Sequence, residues 1–253
     1  VSITAGSYPS AAGVIPTSGN TNNDIRVSGG SSPRTGTWRK FTDLDYIVTA
    51  SPAIAAGGAL TIEDGVQVRL NNGTGISVGG TLTAVGAPGT GILFTRNATG
   101  LWSNLTFQGA GAGTFDHCII EYANYGIYTY ATGTVSVANT ILRNNGYGVY
   151  ATSGTVNLAS TTVTGNTSYG FYGSGVAPTL LDANVLIENS GTGIYLANVA
   201  GLSLTTPATV RNNSTTGITL NNCSTPTLDN LVLTGNTGAN GVGRTRDREI
   251  ILK

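Results

Sequence analysis

Apolar and polar residues alternate in short bursts along most of the chain. Val135-Ser136-Val137, Val156-Asn157-Leu158 and Leu202-Ser203-Leu204 each carry an apolar side chain on every second position, as strands with one buried face do. No window carries an apolar stripe at helical spacing. Turn-forming groups separate the bursts, among them Ala131-Thr132-Gly133-Thr134, Thr152-Ser153-Gly154-Thr155 and Arg143-Asn144-Asn145-Gly146, so each unit has room for three short strands.

The bursts return at a fixed interval. Tyr125-Gly126-Ile127-Tyr128, Tyr147-Gly148-Val149-Tyr150 and Tyr169-Gly170-Phe171-Tyr172 stand 22 residues apart, and Gly193, Gly217 and Gly241 continue the series at steps of 23, 24 and 24. A period of this size marks a solenoid. Three short strands per turn, stacked on those of the next turn, predict an all-β parallel β-helix with a period of 22–24 residues. Ile127, Val149, Phe171, Ile194, Ile218 and Val242 form one inward column, one coil apart at about 4.8 Å. A second column is expected at Asn144, Asn166, Asn189 and Asn213, where asparagine suits a tight turn and can bond its stacked neighbours.

Several segments resemble the leading coils of bacterial surface and secreted proteins built from right-handed parallel β-helix repeats, a fold shared with the pectate-lyase-like superfamily. They are Tyr46-Ile47-Val48, Leu60 through Val66, Val78 through Gly86, Ile92-Leu93-Phe94-Thr95 and Leu101 through Phe107. The resemblance covers about residues 46–243 and implies a single right-handed coil of β-helix. It says little about function, because that fold carries lyases, hydrolases, tailspikes, adhesins and structural surface proteins. Residues 1–45 do not fit the repeat and are expected to form an extended arm or cap; residues 46–253 form the β-helix, of eight or nine coils, ending in a partial one.

Charge is scarce: 9% of the 253 residues, with Lys+Arg and Asp+Glu balanced at 12 each. No basic footprint for nucleic acid is present, and no apolar run reaches the ~20 residues of a membrane span. The absence of methionine and the abundance of Gly, Ser, Thr and Asn suit an exported, cell-surface or extracellular chain whose signal peptide has been removed. Few charges also favour self-association.

The chemistry-bearing residues are few. Glu121 and Arg143, and Glu188 and Arg211, fall one coil apart and are expected to pair across coils. Asp116, Asp182 and Asp229 are the carboxylates an enzyme would use. No Asp-Asp pair accompanies them, the one histidine is His117, and the lysines, Lys40 and Lys253, lie outside the coils. His117 beside Cys118 does not make a zinc site. The expectation is a chain without enzymatic activity, with no catalytic residue, no metal and no cofactor. Cys118 and Cys223, 105 residues apart, lie too many coils apart to be bridged.

The tyrosines remain. Tyr128, Tyr150, Tyr172 and Tyr195 follow inward residues and should point outward, and Tyr125, Tyr147 and Tyr169 face the same way. Three uses stay open for this stripe: mutual stacking, contact with another subunit, or a platform for a glycan. Ile250, Ile251 and Leu252 are candidates for an open assembly edge. Together these features favour a structural subunit of a surface or filamentous assembly, joined through the arm and the coil ends. The alternative is a carbohydrate-binding adhesin or a polysaccharide-active hydrolase or lyase.

Overall fold

A computed structural model describes residues 1–9, 23–180, 182–238, 242–245 and 251–252. Among the described residues there are strands and turns but no helix. Each coil gives one strand to each of three parallel sheets. In the middle of the chain β14 (Cys118–Glu121), β15 (Ala123–Thr129) and β16 (Thr134–Ala138) are followed by β17 (Ile141–Arg143), β18 (Tyr147–Ala151) and β19 (Thr155–Ala159). β14 pairs with β17, β15 with β18 and β16 with β19, all parallel. The first sheet has 11 strands and the second 10, while the third is split into parts of 7 and 3 strands. The stack is therefore about ten coils long, more than the eight or nine expected.

The extra length comes from the N-terminal region. β2 (Asp24–Val27), β3 (Gly30–Ser32) and β4 (Thr35–Trp38) pair with β5 (Asp45–Val48), β6 (Pro52–Ile54) and β7 (Ala59–Ile62). Residues 24–38 are thus a coil, and the sheets do not begin at the expected boundary between residues 45 and 46. Ile25, Val27 and Trp38 are buried, and Trp38 stacks on Tyr46 with ring centroids 4.9 Å apart. These few inward residues hold the coil, while its Gly- and Ser-rich remainder hides the period. Residues 10–22 lie outside the described part of the chain.

The core is a set of columns. In the first sheet Tyr46, Val68, Phe94, Ile120, Leu142 and Val163 lie in register from coil to coil. In the second, Ile127, Val149, Phe171, Ile194, Ile218 and Val242 do so as expected. All but Val242, whose side chain is outside the description, are fully buried. Each buried side chain contributes about 1.5–3 kcal/mol, so stability accumulates along the stack although no coil could stand alone.

The turn between the first and second sheets contains a polar ladder. Asn145 N–H donates to Asn166 Oδ1 at 3.1 Å, Asn166 N–H to Ser190 Oγ at 3.3 Å, Ser190 N–H to Asn213 Oδ1 at 3.0 Å, and Asn213 N–H to Asn236 Oδ1 at 3.1 Å. Two rungs differ from the expected column. Asn144 and Asn189 are exposed and left-handed, with φ of 56° and 51°, and the next residues, Asn145 and Ser190, turn inward instead.

Candidate functional site

The repeating glycine sits where the second sheet's strand takes an extra residue. Along β15 both Gly126 and Ile127 are buried, so Tyr125 and Tyr128 emerge on the same outer face although three positions apart. β18 and β21 (Tyr169–Ser174) repeat this arrangement. Gly148 does not owe its place to backbone freedom. A Cβ there would lie 2.5 Å from the carbonyl oxygen of Gly170 on the next coil and 2.6 Å from a methyl of Val163.

The tyrosines consequently form two parallel ladders. Tyr150 and Tyr172 stack with centroids 4.5 Å apart and planes 8° from parallel, and Tyr172 and Tyr195 stack at 5.0 Å and 4°. Tyr128 meets Tyr150 edge-on, at 5.2 Å and 85°. In the second ladder Tyr125, Tyr147 and Tyr169 follow one another at 4.9 and 5.2 Å. Rings of the two ladders meet steeply at Tyr147–Tyr150, 76°, and Tyr169–Tyr172, 70°, while Tyr125 and Tyr128 are tilted by 35°. The stripe is thus outward-facing as expected, but half-buried by its own members. Both faces of Tyr172 are covered by neighbours.

Hydrogen bonds tie the ends of the stripe. Tyr130, the most exposed of these rings, donates its hydroxyl to Gln108 Oε1 at 2.7 Å, and Asn221 Nδ2 donates to the Tyr195 hydroxyl at 2.9 Å. Tyr128, Tyr147, Tyr150, Tyr169 and Tyr172 hold their protons above the ordinary phenol range. Shielding from water is the main cause, and the neighbouring phenols add to it. At neutral pH the face is a sheet of uncharged hydroxyls.

The other sequence-nominated residues are dispersed. Arg143 Nε lies 2.7 Å from Glu121 Oε2, and Arg211 Nε 2.7 Å from Glu188 Oε2, the cross-coil pairs the spacing predicts. Asp116, Asp182 and Asp229 do not converge. Asp182 accepts from Ser160 N–H and Oγ–H and from Asn184 N–H, each at 2.9 Å, and Asp229 accepts from Asn230 N–H at 2.8 Å. Burial opposes ionisation of Asp182, yet these bonds hold its carboxyl below the usual range. Cys118 and Cys223 are buried and no disulfide joins them. Ile251–Leu252 form β31, which pairs with β28 (Thr227–Leu228) at the end of the three-stranded part of the third sheet. Ile250 lies outside the described residues.

One recess was not foreseen. About 280 Å³ of space lies on the outer face of the first sheet, bordered by Thr90, Leu93, His117, Ile119, Asn139 and Ile141. Asp116 contacts two of these border residues: its Oδ1 accepts from Asn139 Nδ2 at 2.9 Å and lies 2.8 Å from His117 Nδ1. His117 is left-handed, with φ of 48°. Three coils supply this border, so no local motif announces it. Among the described residues no group of three or more His, Cys, Asp or Glu side chains gathers as a metal would require.

Comparison with known proteins gives a family and a fold. The family described as "Right handed beta helix region" matches residues 53–205 and 91–252. No curated protein matches the chain in sequence. Among solved structures the chain is similar to the A-module of the mannuronan C-5 epimerase AlgE6 from Azotobacter vinelandii. The identity is 10% and the TM-score 0.50, over 92% of this chain and 91% of that one. At such identity the likeness is one of fold. It nevertheless overturns the expectation of a chain without enzymatic activity, which rested on the missing Asp-Asp pair, the single histidine and the absence of lysine from the coils. A coil of matching extent belongs to an epimerase, so this architecture gives no ground for excluding catalysis.

Proposed function

The chain belongs to the right-handed β-helix family, and from that premise we propose that it is a polysaccharide-active module that holds a glycan along the tyrosine face of its second sheet. One observation carries the reading: the coil does not need these tyrosines. The outward position of Tyr128, Tyr150, Tyr172 and Tyr195 is filled by Ser77 and Thr106 in preceding coils and by Thr219 in the following one. Those coils are formed equally well. Mutual stacking adds about 0.5–1.5 kcal/mol per pair, a small part of what the inward columns provide. A row of aromatic rings rimmed by Gln108 and Asn221 offers apolar contact together with hydrogen bonds, the combination that orients a ligand in a site. The likeness in fold to an epimerase module supports a polysaccharide reading over that of a structural subunit.

Titration with soluble polysaccharides, followed by tyrosine fluorescence, tests the proposal. A saturable change that Tyr150→Ala abolishes is expected. If light scattering instead finds oligomers that Tyr150→Ala converts to monomers, the face is a contact between copies and the proposal fails.

A further inference from the structure

Resting on the reading above, we infer that the glycan taken by this face is uncharged, not a polyuronate or a sulfated chain. The nine strands of the second sheet from β3 to β27 (Ile218–Asn221) contain no Asp, Glu, Lys, Arg or His at all. What they present outward is phenol, hydroxyl and carboxamide, with the methyl of Ala53. Two cations lie away from the tyrosine coils: Arg34, just after β3, and Arg244, on the tenth strand of this sheet, Val242–Thr245. Those bordering the tyrosine coils are engaged elsewhere. Arg143 and Arg211 end strands of the first sheet and are paired with Glu121 and Glu188. Arg96 lies over the ring of Tyr122, 3.9 Å from its centroid.

A glycan with a carboxylate on every residue would have to leave those charges in water or bury them against neutral groups. Burying an unpaired charge is prohibitively costly, and charged polymers are recognised by placing a cation opposite each anion. The strands that carry the tyrosines have none to place. A hydroxyl-rich neutral chain loses nothing in the same position, because phenols and carboxamides both donate and accept hydrogen bonds. The geometry adds a direction. The long ladder runs across four coils, about 14 Å at the strand spacing, so the chain would lie parallel to the coil axis. The stacked rings turn edges and hydroxyls outward, so hydrogen bonds to those hydroxyls contribute more than contact with ring faces.

The test is affinity electrophoresis and calorimetry with four polymers: mixed-linkage β-glucan and galactomannan, which are neutral, and alginate and polygalacturonate, which are anionic. The expected result is binding to at least one neutral polymer, unchanged by added salt, with neither anionic polymer bound. Tyr150→Phe, which keeps the ring stack and removes one hydroxyl, should weaken binding by roughly two- to tenfold, the worth of one hydrogen bond. Tyr150→Ala, checked for an unchanged circular dichroism spectrum, should abolish it. Salt-sensitive binding of alginate or polygalacturonate that Tyr150→Ala removes would overturn the charge inference and leave the tyrosine face as the binding surface. Binding that survives Tyr150→Ala, or no binding to any of the four, would overturn both.

Discussion

Asn166→Ala is the substitution that most directly tests the polar ladder. The Asn166 side chain is buried; its Oδ1 accepts the N–H of Asn145 at 3.1 Å, and its Nδ2 donates to the Leu142 carbonyl at 3.2 Å. Alanine keeps the Asn166 N–H to Ser190 bond, which belongs to the backbone, but leaves the Asn145 N–H without that acceptor. A stranded buried donor costs about 1–3 kcal/mol, and the lost carboxamide bond about 1 kcal/mol more. The expected destabilisation is therefore about 2–4 kcal/mol. Asn144 provides the control, one residue from Asn145 but exposed and left-handed. Asn144→Gly relieves backbone strain and should fall within about 0.5 kcal/mol of the parent. Urea unfolding followed by circular dichroism gives the free energies. Hydrogen exchange at the Asn145 amide gives the local effect, because a solenoid can open one coil at a time. If Asn166→Ala unfolds within about 0.5 kcal/mol of the parent, or Asn144→Gly does as much damage, the ladder does not hold the turn and the argument is wrong.

Three further outcomes follow from other parts of the coil. Gly148→Ala should cost about 1–3 kcal/mol or more, by overpacking, since its methyl would meet the Gly170 carbonyl oxygen; Gly175→Ala, with open space around it, carries only the penalty of a left-handed backbone. Thermal unfolding of the pair checks this, and equal losses would remove the close-approach explanation. Burial pushes the Cys118 thiol up to about 12, so in the folded protein it should resist thiol reagents at mildly alkaline pH and react on denaturation; mass spectrometry after brief labelling gives the answer. The lowered pKa of Asp182 stabilises the fold above the ordinary Asp value, about 3.9, and that stability is lost as pH falls through the folded value. Asp182→Asn should accordingly be less stable than the parent at neutral pH and approach it in acid, a convergence that melting curves across the acid range will show or refute.

The fold was legible because its dominant requirement recurs. Inward residues must be apolar in every coil, and the glycine must be small in every coil where the neighbouring backbone closes on it. The ladder was only half legible. Counting four residues back from each glycine finds Asn166 and Asn213 but selects Asn144 and Asn189, because the segment between ladder and glycine is one residue shorter in those coils. The better marker is the left-handed residue just before each rung: Asn144, Gly165, Asn189, Asn212 and Gly235 all have positive φ, and Asn and Gly are the types that tolerate it. The first coil escaped because its strands Gly30–Ser32 and Thr35–Trp38 are built largely of Gly, Ser and Thr, so little apolar alternation marks the steps of 21, 22 and 24 residues that join it to the next coil.

The candidate site follows the opposite rule, which explains why sequence gave its position and little more. A residue the coil requires appears in all coils, whereas one that begins and ends partway along its column is free to serve something else. The tyrosines begin after Thr106 and end before Thr219, so the register alone marks them as additions to the scaffold. That rings cover one another and turn their hydroxyls outward depends on side-chain rotamers, which a sequence does not state. The recess at His117 lies further still from view, since residues about fifty positions apart border it. The neutrality of the second sheet's first nine strands was visible from the start, but its meaning depends on knowing which strands share a face. Scattered through the sequence, few charges suggest only a poorly repelling surface; gathered on one sheet, their absence selects against a charged ligand.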